Sequence, residues 1–150
     1  MIEFARSLLA ALLVLHAAAA HAVTGMKFVS MPGDYIGGGT TQTYQGPTTS
    51  VSANGDGRHV QVVVTEGSHW WFLDFAAPDR LAKGSFPNAA RYPFQSPLGA
   101  GISVTGDGRG CNQVKGWFKV LEFEVNASNV VRKLAIDFEQ NCEITMPPLY

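Results

Sequence analysis

His59-Val60-Gln61-Val62-Val63-Val64-Thr65-Glu66-Gly67-Ser68-His69-Trp70-Trp71-Phe72-Leu73-Asp74-Phe75-Ala76 consists of two runs of β-branched and aromatic residues around a short loop. Such runs form strands, and Glu66-Gly67-Ser68 is the right length and composition for a hairpin connection, so residues 59–65 and 69–76 are expected to pair. Side chains alternate along a strand, which sends Trp71, Leu73 and Phe75 one way and Trp70, Phe72 and Asp74 the other. Both faces of this strand are then largely apolar. That pattern fits a strand covered on both sides, or one whose outer face carries an aromatic patch.

The rest of the chain follows the same rule. No segment between residues 23 and 150 has helical periodicity, and short apolar runs are punctuated by Gly, Pro, Asn and Asp, which predicts an all-β, antiparallel β-sandwich or jelly-roll-like domain. Residues 26–30, 41–44, 48–52 and 102–105 are expected to be further short strands. Residues 78–101 read as a long irregular connection, uncommon in compact domains unless it crosses between sheets or serves function. Residues 114–125 and 130–138 form a final hairpin about Asn126-Ala127-Ser128-Asn129, which also fits a glycosylation acceptor. Pairing Val125 with Val130 places Leu121 opposite Leu134 and Glu122 opposite Lys133.

Residues 1–22 have the layout of a secretory signal: Arg6 in a short head, an apolar run over residues 7–20, and Ala20-His21-Ala22 as a small-x-small cleavage site. The run is shorter than the roughly 20 residues of a membrane-spanning helix and lacks a basic stop-transfer cluster. The expectation is therefore an exported, soluble, monomeric domain over residues 23–150, periplasmic or extracellular. Its length suits one core. With Lys and Arg at 11, Asp and Glu at 12 and no basic cluster, nothing marks a nucleic-acid or anionic-membrane partner. Two cysteines in an exported chain predict one disulfide, Cys111 to Cys142. The same hairpin register brings Cys142 opposite Gln113, close enough to Cys111 for a bulge to close the bridge.

Few motifs carry chemistry. Gly55-Asp56-Gly57-Arg58 and Gly106-Asp107-Gly108-Arg109 invite a calcium reading, but each has one acid where calcium loops string several, so a reverse turn is the expected role and no cofactor is assigned. Asp107 and Arg109 are kept as secondary ligand contacts. His59 and His69 stand at opposite ends of the first hairpin, roughly 20 Å apart, too far to share a metal ion. Glu122 and Glu124 share a strand face, with Lys133 positioned to neutralise Glu122 rather than a cleft to raise a pKa. Asp74 and Asp137, each between apolar neighbours, are expected to bind loop amides or a turn arginine. Gly37-Gly38-Gly39 marks a bulge, a mobile loop or a close backbone approach. Trp70, Phe72, Trp117, Tyr35 and Tyr92 remain as the candidate ligand-binding aromatics, because an exposed Trp or Tyr on a sheet face grips sugars and other flat ligands.

Gly33-Asp34-Tyr35-Ile36-Gly37-Gly38, Arg91-Tyr92-Pro93-Phe94-Gln95, residues 106–112 and Asp137-Phe138-Glu139-Gln140-Asn141-Cys142 together resemble a family of exported, uncharacterised bacterial β-sandwich domains. The resemblance implies bacterial origin and that fold, and it carries no activity. The function expected is non-catalytic binding of a carbohydrate or other small extracytoplasmic ligand through exposed aromatics. The alternative is a protein-interaction or purely structural surface domain.

Overall fold

The computed structural model describes residues 24–128 and 130–150, so the expected export segment lies outside the described residues. The described residues form ten strands: β1 Gly25–Val29, β2 Thr41–Gln45, β3 Ser50–Gly55, β4 His59–Glu66, β5 His69–Ala76, β6 Gly84–Arg91, β7 Gly101–Gly106, β8 Val114–Val125, β9 Val131–Cys142 and β10 Pro148–Leu149. The fold is all-β. Eight strands make one sheet in the order β10-β9-β8-β6-β7-β5-β4-β3, antiparallel except between β6 and β7, and β1 and β2 make a two-stranded ribbon.

The sheet curls. Asn54, near the end of β3, bridges Val130 just ahead of β9, while Val29 and Tyr150 exchange backbone hydrogen bonds of 2.8 and 3.0 Å and tie the ribbon to β10. The apolar faces converge on one core. Phe28 of the ribbon sits edge-on to Trp71 at 4.6 Å and to Phe138 at 6.0 Å, and Phe75 links Phe138 to Phe118. Trp71, Leu73 and Phe75 all point inward, as the alternation required.

Two sequence expectations are corrected. The connection over residues 78–101 contains β6, whose Pro87-Asn88 pair sits in a bulge between Phe86 and Ala89; proline removes a ladder donor and Asn88 takes φ 55°, so the strand signal is interrupted in its middle. The last hairpin is displaced by bulges. Val125 pairs with Val131, Glu124 with Lys133, Phe123 with Leu134 and Cys142 with Val114, while Leu121 falls in the irregularity between Val120 and Glu122. Of the alternatives open for the triple glycine, the close backbone approach is the one formed, within a turn. Asp34, 3 % exposed, accepts from Ser30 Oγ and from the Ile36 and Gly37 amides, and a Cβ on Gly37 would collide with Ser30 and Leu149.

The disulfide is formed. Cys111 and Cys142 are joined, their Cα atoms 5.3 Å apart, so the strand-free segment after Gly106–Arg109 is pinned to the end of β9. Such a bridge indicates an oxidising, non-cytoplasmic environment. No helix among the described residues is long and apolar enough to cross a membrane.

Candidate functional site

The candidate surface lies on the outer face of β4, β5 and β7. Directly paired residues of antiparallel strands share a face, so Trp70 lies beside Thr65, Phe72 between Val63 and Thr105, and Asp74 between Gln61 and Ser103. Trp70 and Phe72 are 39 % and 37 % exposed, with ring centroids 5.4 Å apart. β5 is an interior strand of the sheet, which fixes these rings on a rigid backbone rather than on a loop.

Beyond the aromatic pair the face turns polar. Asp74, 9 % exposed, receives His59 Nε2 at 2.8 Å and Gln61 Nε2 at 3.0 Å, both on Oδ1. A carboxylate only accepts, so Nε2 carries the proton and Nδ1 is the unprotonated nitrogen when His59 is neutral. Oδ2 takes no hydrogen bond from the described residues. The expected loop-amide or arginine partner of Asp74 is thus replaced by a histidine and a glutamine from the neighbouring strand. Asp137, by contrast, is exposed on β9.

The turn over Gly106–Arg109 closes the other end of this face. Asp107 receives the Trp70 backbone N–H at 3.0 Å on one oxygen and His69 Nδ1 at 2.7 Å on the other. Burial alone would raise the Asp107 pKa; the His69 and Trp70 hydrogen bonds and the charges of His69 and Arg109 outweigh it and hold the carboxyl below its ordinary value. Glycine is needed twice here: a Cβ on Gly106 would run into the Trp71 indole, and Gly108 takes φ 77°. Arg109 lies over Gly38, where a Cβ would come within 3.1 Å of Nη1, and its Nε is buried without a partner among the described residues.

The earlier Gly-Asp-Gly-Arg copy works differently. Asp56 caps the amides of Arg58 and His59, which lowers its pKa. Both copies act as turns, and among the described residues no three His, Cys, Asp or Glu side chains group to hold a metal ion.

The seven candidate ligand residues do not form one site. Trp70 and Phe72 belong together, with Asp107 bound to the Trp70 backbone and Arg109 next to that turn. Tyr92 stacks on His59 at 4.3 Å and 6° near the polar end. Trp117 is on β8, donating to Glu139 at 3.2 Å, and Tyr35 is in the turn after β1. Neither joins the outer face of β5. Lys133 contacts Glu124 at 2.9 Å and Glu122 at 3.7 Å, so this acidic pair forms a neutralised surface cluster.

Sequence reasoning missed the two histidine–carboxylate pairs. His59 and Asp74 lie 15 residues apart on adjacent strands, and the hairpin register places Gln61, not His59, directly opposite Asp74. The pairing of His69 with Asp107 depends on β7 lying beside β5, which no local pattern reveals. No family model matches the chain, and no curated protein or solved structure shows significant similarity to it.

Proposed function

We propose that this is an exported, non-catalytic binding domain, monomeric and periplasmic or extracellular, that holds a carbohydrate or other small polar ligand against the outer face of β4, β5 and β7. The observation that carries the reading is the succession along one face of β5: two half-exposed aromatic rings, then a carboxylate oriented by His59 and Gln61. A sugar has the complementary chemistry, with C–H faces that pack on aromatic rings and hydroxyls that donate to a carboxylate. The disulfide and the secretory layout of residues 1–22 support the compartment, and the motif resemblance supports a bacterial exported family.

Isothermal titration of residues 23–150 with linear tetrasaccharides of glucose, mannose and N-acetylglucosamine tests the reading. Binding that falls about tenfold in Trp70→Ala/Phe72→Ala is the expected result, the loss of roughly 60 Å² of apolar contact at about 25 cal/mol per Å². Affinity untouched by that double variant refutes it. The protein-interaction reading draws its support from the loop after β6, where Phe94 and Leu98 are 71 % and 88 % exposed.

A further inference from the structure

Where β3 turns into β4, Arg58 and His59 border a cleft of about 240 Å³ whose other side is the loop after β6. Trp70 and Phe72 do not line it. Ala76 and Ala77, at the end of β5 and just beyond it, give it apolar surface, and one wall is the Tyr92 ring stacked on the His59 imidazole at 4.3 Å and 6°. His59 Nε2 is bound to Asp74 at 2.8 Å, so the imidazole in that wall is fixed from two directions.

The charge of the lining is one-sided. It includes Arg58 and no acid. Arg58 is exposed and makes no ion pair among the described residues, because Asp56, two residues earlier, accepts the Arg58 and His59 amides instead. Asp74 is likewise taken by His59 and Gln61. Burial, then the charges of Asp74 and Asp56, raises the Tyr92 pKa, so this phenol stays neutral and adds no negative charge. The two acids act on the cleft from outside its lining, as a field weaker than a guanidinium in direct contact. The turn that carries Arg58 is also fixed: the Arg58 carbonyl accepts the Ala77 amide at 2.9 Å and the Gly57 carbonyl accepts the Leu81 amide at 2.8 Å.

The donors select the kind of anion. A phosphate is ordinarily cradled by several backbone N–H groups. Here the amides of Arg58 and His59 go to Asp56, that of Ala77 to Arg58 and that of Gly99 to Ser96. What remains is a planar guanidinium, whose paired N–H groups match the two oxygens of a carboxylate. The volume lies below the roughly 300–1,000 Å³ of sites for drug-sized molecules, which leaves room for one ring beside that carboxylate.

We propose that this cleft binds a ring-sized carboxylate, its two oxygens on the Arg58 guanidinium and its ring against the Tyr92–His59 stack and the two alanines. A free carboxylic acid and a uronic acid share that chemistry. The site stands or falls separately from the carbohydrate reading of the β5 face.

The His59 and Tyr92 ring resonances are followed by NMR as benzoate, glucuronate, their neutral counterparts benzamide and glucose, and inorganic phosphate are added in turn to the purified protein. At least one of the two acids is expected to shift both rings, and its neutral counterpart neither at the same concentration. Tighter binding of benzoate assigns the site to an apolar acid, and tighter binding of glucuronate to a sugar acid. In Arg58→Gln the affinity for that acid falls about tenfold or more while the thermal midpoint stays, since this exposed side chain has no partner to lose. Silence of both rings to both acids, an equal response to the neutral counterparts, unchanged affinity in Arg58→Gln, or phosphate binding tighter than either acid overturns the proposal.

Discussion

Gln140→Leu tests how the core is held together. β6 pairs with β7 only through its last two residues, Ala90–Gly101 and Arg91–Ile102, and ends there, so the backbone of Val104, two residues further along β7, faces no strand on that side. Gln140, reaching inward from β9 and 1 % exposed, replaces the missing strand: its Oε1 accepts the Val104 N–H at 2.7 Å and its Nε2 donates to the Val104 carbonyl at 2.9 Å. Leucine keeps the volume and removes both bonds. Each orphaned backbone group costs roughly 1–3 kcal/mol, and the apolar side chain returns about 1, so a net loss of about 3 kcal/mol is expected. Against a total stability of roughly 5–15 kcal/mol this is severe. Urea unfolding followed by tryptophan fluorescence and by circular dichroism reads it directly, as a midpoint lowered by about 1–2 M at unchanged slope.

Gln140→Glu provides the internal control. A protonated carboxyl accepts and donates as the amide does, whereas a carboxylate repels the Val104 carbonyl, so burial raises the folded-state pKa. Stability is then close to that of the native protein below the unfolded value of about 4.3, and is lost as pH rises toward the raised folded value. A loss under about 1 kcal/mol in Gln140→Leu, or no pH dependence in Gln140→Glu beyond that of the native protein, would show that Gln140 does not stand in for a strand beside Val104.

Two further outcomes follow from the turn and its bridge. Cys111→Ser/Cys142→Ser should lose about 3–4 kcal/mol, the loop-closure entropy for a separation of 31 residues, and reductant should move the native protein to the same midpoint; a change under 1 kcal/mol contradicts this. Asp107 has a depressed folded-state pKa, so its contribution is present above the unfolded value of about 3.9 and lost as pH falls through the folded one. Asp107→Asn should therefore flatten the acid limb of the stability curve, and an unchanged acid limb counts against the His69 and Trp70 contacts.

The legible parts of this fold were those with local patterns. The hairpin of β4 and β5 announced itself because two uninterrupted β-branched and aromatic runs flank one glycine loop, and the alternation placed Trp71, Leu73 and Phe75 inside. β6 stayed hidden because Pro87 and Asn88 sit in its bulge, and β10 because two residues held by β9 and the ribbon leave no pattern. The register of β8 with β9 slipped for a related reason: a bulge adds a residue to one strand, and the partner count shifts by one without any change in composition. At the candidate site the aromatic pair was readable from alternation alone. Its polar end was not, since His59 meets Asp74 diagonally across the ladder rather than from the directly paired position. Tyr35 and Trp117 satisfied the same composition rule as Trp70 but ended up elsewhere, because aromaticity says nothing about which strands become neighbours.

Carbohydrate binding on the outer face of β5, as proposed above, depends on Trp70 and Phe72 and not on Trp117. A glycan array probed with residues 23–150, beside Trp70→Ala/Phe72→Ala and Trp117→Ala, tests it most directly. The native domain and Trp117→Ala are expected to mark the same glycans while the double variant marks none; a blank array for the native domain, or a double variant as bright as the native domain, rules the binding face out.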